Sequence, residues 1–167
     1  MREQVDNHIG FKKQLIYVSV DSYNPNYQTK VFFNNGNIHN LRNKLITSMQ
    51  LVTSNELDQV DNLSVIDLTS TDFSTYLTLV GRDGKVILNL LPAPLLYNYD
   101  FAEATSKVLR QFIMKVDWDK SYLLLVWNAS PVAGSVMAFN IGYVDNVNQL
   151  PDPVKKDLTP QLINELV

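Results

Sequence analysis

The stretch "SYLLLVWNASPVAGSVMAFNIGYV", residues 121–144, contains no Asp, Glu, Lys or Arg over 24 positions. That is long enough to cross a bilayer, so its reading decides between a membrane anchor and the interior of a globular fold. A spanning helix is uniformly apolar, whereas Asn128, Ser130, Pro131, Gly134 and Ser135 break this run at its middle. Neither half reaches the ~20 residues a helix needs to cross hydrocarbon, so no transmembrane span is expected. A period of two fits instead. Met137, Phe139, Ile141 and Tyr143 share one face, and Val136, Ala138, Asn140, Gly142 and Val144 the other. Upstream, Leu123, Leu125 and Trp127 alternate with Tyr122, Leu124 and Val126. The pattern predicts two adjacent strands joined as a hairpin through "NASPVAG".

An antiparallel sheet with one solvated face shows a polar residue at every second position. Here both faces are largely apolar, so the outer one is expected to be covered. The chain's own ends, 1–13 or 159–167, could supply the cover; so could a neighbouring subunit. Val136, Ala138, Asn140, Gly142, Tyr122 and Val126 are therefore the candidate subunit-contact residues.

Alternation continues outward from this segment. In "QFIMKVD", Phe112, Met114 and Val116 fall on one face. "TYLTLV" at 75–80 and "KVILNLL" at 85–91 flank "GRDG", whose Asp83–Gly84 pair predicts a hairpin. "LIYVSV" at 15–20 and "QTKVFF" at 28–33 are read as another pair, and "LITSMQLV" at 45–52 and "LSVIDL" at 63–68 as further strands. Helical signals are few: a capping box from Asp100 to Glu103 ahead of "FAEATSKVL", one or two turns in "NIHNLRNKL", and Thr159–Pro160 opening "LTPQLINELV". Asn fills 17 positions against 6 Gly, which points either to Asn at some left-handed turn positions or simply to AT-rich coding.

Many short strands with little helix predict an all-β antiparallel sandwich, a single jelly roll of about eight strands with one or two short helices. The division is an N-terminal arm (1–14), the sandwich (15–145) and a C-terminal extension with a short helix (146–167), with 1–13 and 146–158 the more loosely attached segments.

Composition narrows function. The net charge of −3 gives no electrostatic footprint for nucleic acid. Without cysteine there is no disulfide framework, thiol nucleophile or Cys-based zinc site. His8 and His39 alone cannot make a His-rich metal centre. The first residues carry charge where a signal peptide would be apolar. "DWDK" places Asp117 and Asp119 around Trp118, but calcium needs ~6–8 oxygens; a solvated turn explains the pair. Asp58, Asp61 and Asp67 are spread over a polar connection. His39 has no nucleophile motif beside it. Two glycosylation sequons, at Asn62 and Asn128, carry little meaning without a secretory signal. Trp118 and Trp127 could stack sugars, although Trp127 lies in the most apolar strand and is better placed in a core or interface. The expectation is a protein that is not an enzyme and holds no cofactor or metal. A cupin-type enzyme would require a clustered metal triad.

The run "TYLTLVGRDGKVILNLLPAPLLYN", then a short helix, then "RQFIMKVDWDKSYLLLVWN" and "SVMAFNIGYV", resembles the later strands of viral single jelly-roll capsid proteins, most closely the vertex (penton) or minor subunits of tailless icosahedral bacteriophages. The resemblance covers roughly 38–145 and lies in strand order and spacing. It implies a virion structural protein made in the host cytoplasm, a homo-oligomer (a pentamer if a penton) that also contacts neighbouring capsid proteins. It carries over no catalytic residues. The main alternative is a ligand-binding β-sandwich module, recognising carbohydrate or a receptor, which predicts an exposed aromatic platform and a monomer.

Overall fold

The computed structural model describes residues 12–26, 28–54, 57, 59–96, 99–100, 113–150 and 152–157. Its strands, in chain order, are β1 (Lys12–Ser19), β2 (Thr29–Phe32), β3 (Leu45–Val52), β4 (Gln59–Val60), β5 (Leu63–Ser64), β6 (Phe73–Val80), β7 (Val86–Pro92), β8 (Tyr99–Asp100), β9 (Met114–Lys115), β10 (Tyr122–Trp127) and β11 (Val136–Val144). β4 and β5 pair only with each other, and the other nine form two antiparallel sheets packed face to face. One has the order β1-β11-β3, with β8 and β9 both pairing with the far side of β3; the other has the order β2-β10-β6-β7. β8 lies beside Ser48–Met49 and β9 beside Leu45–Ile46, so together they fill one strand position. The first strand thus pairs with the last, the second with the last but one, and so inward to the β6–β7 turn. That is a long antiparallel ribbon rolled into a sandwich: a jelly roll.

The turn at its centre is the one the sequence announced. Gly84 takes φ 85° and donates its amide to the Gly81 carbonyl at 2.9 Å, while the Gly81 amide donates to Lys85 at 2.8 Å. The other two predicted pairings do not form. β1 pairs with β11 and β2 with β10. The segments at 122–128 and 135–144 are likewise not a hairpin: β10 lies between β2 and β6, and β11 between β1 and β3. In a rolled ribbon, consecutive strands cross from one sheet to the other and meet across the core instead of edge to edge. The inward faces are the same either way, so alternation could not tell the two apart.

Between the sheets, Leu123, Leu125 and Trp127 face Met137, Phe139 and Ile141 within one apolar core. Phe33, in a 3-10 turn after β2, packs its ring 5.4 Å from Trp118 and 6.1 Å from Phe139. Buried Trp side chains need a partner for the indole N–H. Trp118 donates to the Leu41 carbonyl at 3.4 Å and Trp127 to Thr75 Oγ1 at 2.9 Å. Both are therefore core residues, and neither is available to stack a sugar.

Several local expectations shift. A β-bulge between Gly142 and Tyr143 leaves Thr47 as an extra residue on β3, and beyond it Val144 turns into the core. Gly142 lies so close to β3 that a Cβ there would meet Ser48 Oγ, with Thr47 Oγ1 at 3.1 Å. Around β9, Ile113 is fully buried, and Val116 joins the same core from a bridge to Gly81. Only Leu63–Ser64 of "LSVIDL" is a strand, and Val65 makes a single bridge to Val136. Residues 146–150 are not loosely attached: Val147 and Leu150 are buried in the core under a capping box between Asn146 and Gln149, ahead of the six-residue helix α1 (Asp152–Asp157). "NIHNLRNKL" makes one 3-10 turn at His39–Leu41. Asn43 and Asn62 do take left-handed φ, at 64° and 66°. The helices predicted at 101–109 and after Thr159 lie outside the described residues, as does most of the N-terminal arm.

Candidate interaction face

The six candidate contact residues do not form one patch. Val136, Ala138, Asn140 and Gly142 lie on the outer face of the β1-β11-β3 sheet, whereas Tyr122 and Val126 lie on the outer face of the opposite sheet. Between β3 and β6 the chain makes a small two-stranded hairpin, β4–β5, and lays it over the first of these faces. Leu57, Val60 and Leu63 pack there on a second apolar cluster of Val52, Val65, Val136 and Ala138. The Tyr17 hydroxyl fastens this cover by donating to Asp61 Oδ2 at 2.8 Å. That hydrogen bond, followed by the charge of Asp61, raises the Tyr17 pKa above its ordinary value. Val136 and Ala138, at 1% and 0% exposed, are therefore buried by the chain's own middle and unavailable for a subunit contact. Gly142 is buried as well, and Asn140 is half-buried. The sequence correctly called for a cover over Val136 and Ala138, but among the described residues it comes from 57–65, a segment whose apolar residues are too sparse to stand out.

The outer face of the β2-β10-β6-β7 sheet is built differently. In antiparallel strands, residues directly opposite one another share a face. Register places Phe32 of β2 beside Tyr122, and Tyr122 beside Thr78 of β6. The next row outward runs Lys30, Leu124, Tyr76 and Pro92 across all four strands. Val126 follows beside Ser74. Phe32, Tyr122, Leu124, Tyr76 and Val126 are half-buried and belong to neither apolar cluster. Phe32 and Tyr122 hold their rings 5.6 Å apart, and the Lys30 ammonium sits 4.5 Å over the Tyr122 ring. Lys30 is the only charged side chain that this register places on the face. Along its β7 border, Val86 and Leu90 are 57% and 41% exposed, and Leu95, just past the strand, is 57% exposed.

Phe32, Lys30, Tyr76 and Leu90 were not singled out from the sequence, although Tyr122 and Val126 beside them were. The alternation in "QTKVFF" and "TYLTLV" identified each strand. Which strands lie side by side, and hence that their outward residues add up to one surface, depends on the rolled topology.

Two ion-pair groups join the ends of strands and the turns beside them. Arg42 forms a bidentate pair with Asp119, at 2.9 and 3.2 Å, and the hydrogen bond lowers the Asp119 pKa. Asp117 accepts the Asp119 amide at 3.1 Å, so "DWDK" is a turn whose Trp118 points inward. Asp67 caps Thr69, and His39 is exposed. Asn62 and Asn128 of the two sequons are exposed; Asp58 lies outside the described residues. No group of three His, Asp or Glu among the described residues could hold a metal ion, and no described helix is long and apolar enough to cross a membrane.

Asp145, after β11, accepts from Lys44 at 2.7 Å and Lys12 at 3.1 Å, joining the ends of β1, β3 and β11. The hydrogen bond from Lys44, then that from Lys12, holds its carboxyl below the ordinary value of 3.8. A lowered folded-state pKa stabilises at pH above the unfolded value, and that contribution disappears as pH falls through the folded one. Asp145→Asn is expected to cost about 0.5–1 kcal/mol at pH 7, a modest figure because the lysines are partly solvated and screened. In thermal melts the two proteins should converge once the pH is well below 4; a gap that persists in acid would show that the loss is not electrostatic.

A half-buried, ring-bearing, nearly uncharged sheet face can stack and exclude water. No family model, no curated protein and no solved structure matches the chain, so its own strand order and this face carry the functional reading.

Proposed function

We propose that this chain is a structural subunit that works by self-association, and that it serves in a virion as a vertex (penton) or minor capsid protein. The observation that carries the reading is the outer face of the β2-β10-β6-β7 sheet, apolar and aromatic across four strands with Lys30 as its one charge. Contiguous apolar patches of this kind on soluble proteins mark contact sites. The eight-position jelly-roll order supports the same reading, because it is the architecture that the resemblance to single jelly-roll capsid proteins implies. Sedimentation velocity over a concentration series, with electron microscopy of the associated species, tests it. Rings of five would support a penton, and other closed oligomers a minor capsid role. A monomer at every concentration would sink the proposal.

A second reading has one specific observation behind it. The Phe32–Tyr122 pair with Lys30 over the ring is a platform on which a sugar could stack, as a carbohydrate-binding module requires. Glycan binding by a concentration-independent monomer, lost in Tyr122→Ala, would favour it over the capsid reading.

A further inference from the structure

We propose that Leu90 anchors the contact between two copies of this chain, presented at the sheet border by a strained backbone. The proposal rests on the self-association reading above and names its point of contact. Leu90 has φ 52°, in the left-handed region that L-residues with a full side chain avoid. The other described positions with positive φ hold Gly84, Gly134, Asn43, Asn62 and Asp61, residue types that tolerate it. Leu90 is the exception. Register shows why the conformation arises: Leu77 pairs with Leu91 and Leu79 with Leu88, so Asn89 and Leu90 together oppose Thr78 in a bulge. The left-handed residue of such a bulge is ordinarily glycine. Here it is a leucine whose amide donates to Thr78 Oγ1 at 3.2 Å and whose side chain is 41% exposed. Backbone strain and an unburied apolar side chain thus coincide at one residue. Among the described residues Leu90 belongs to neither apolar cluster, so their packing offsets neither. Strain of this kind collects where a side chain has to be held for a contact.

The occupant is a second copy. Strand addition is disfavoured on the β7 border, because the strand breaks register twice and ends in Pro92, which has no amide to donate. A partner at this border therefore docks on side chains. A nucleic acid or an acidic protein would meet one cation, Lys30, on the opposite border strand. A copy of the same face brings apolar surface against apolar surface and no carboxylate that would have to be buried. Four strands at ~4.8 Å spacing and about seven residues at ~3.3 Å give a flat footprint on the order of 400 Å². Side-chain relief and the exposed Val86 and Leu95 beside Leu90 extend it toward the roughly 800 Å² per partner of a standard interface.

Leu90→Asn tests the proposal, because asparagine is the residue at two of the other described left-handed positions, Asn43 and Asn62. The variant is expected to melt roughly 2–4 °C higher than wild type when both are diluted to monomers. Its dissociation constant for self-association should rise at least tenfold by sedimentation velocity, while Leu90→Met keeps association within about threefold. Association of Leu90→Asn at wild-type strength would overturn the Leu90 assignment and leave the self-association reading standing. A lower melting temperature together with lost association would make Leu90 a structural residue and overturn the assignment too. A wild-type chain that stays monomeric would remove both.

Discussion

Leu124→Glu is expected to abolish self-association, raising the dissociation constant more than ~100-fold, or about 2.7 kcal/mol, while the monomer keeps its unfolding midpoint. Leu124 stands near the middle of the outer face, between Lys30 on β2 and Tyr76 on β6. In a single copy a glutamate there remains half-solvated and gains a cross-strand neighbour of opposite charge, so the fold has little to lose. Against a second copy the same carboxylate would be stripped of water opposite apolar side chains, and one lysine already engaged with a ring does not offset that desolvation. Val132→Glu is the control, since Val132 is 75% exposed in the loop between β10 and β11 and introduces the same charge away from the face. Sedimentation velocity of the two variants beside wild type decides. If Leu124→Glu associates as Val132→Glu does, the contact lies elsewhere.

Phe33→Ala is expected to cost about 3–5 kcal/mol. Phe33 is fully buried, and its ring lies against Trp118, from the turn ahead of β10, and Phe139, in the middle of β11. Its amide also donates to the Ser121 carbonyl at 3.1 Å. The side chain thus ties the turn ahead of β10, through Trp118, to β11 in the other sheet, through Phe139. Neighbouring rings of this size cannot collapse into the vacated space, so both transfer free energy and contacts are lost. Domains are typically stable by only ~5–15 kcal/mol, so the urea midpoint should move by a large fraction of its wild-type value. A loss below ~1 kcal/mol would mean that the Phe33–Trp118–Phe139 cluster does not join the sheets as described.

Legibility varied with how local the determining physics was. β3 spans the residues whose composition predicted it, and the β6–β7 turn follows from Asp83–Gly84, because turn chemistry is settled within a few residues. The use of Asn43 and Asn62 at positive φ was legible for the same reason. The inward set Met137, Phe139 and Ile141 was legible from alternation, while Val144 was misplaced because a bulge leaves no mark in composition. The candidate face was half legible: Tyr122 and Val126 were named, whereas Phe32, Tyr76 and Leu90 became part of it only through pairing.

The sequence by itself determined that 121–144 is two strands and not a membrane helix, that the chain is an all-β sandwich, and that Val136 and Ala138 need a cover. Each follows from periodicity and burial along a single segment. Only the tertiary structure decided that those two strands belong to opposite sheets, that among the described residues the β4–β5 segment provides the cover, and that the half-buried aromatic face of Phe32, Tyr76 and Tyr122 lies on the other side of the sandwich. Those outcomes depend on which distant strands pair. A strand's alternation states which residues turn inward, and it is the same whichever neighbour the strand takes.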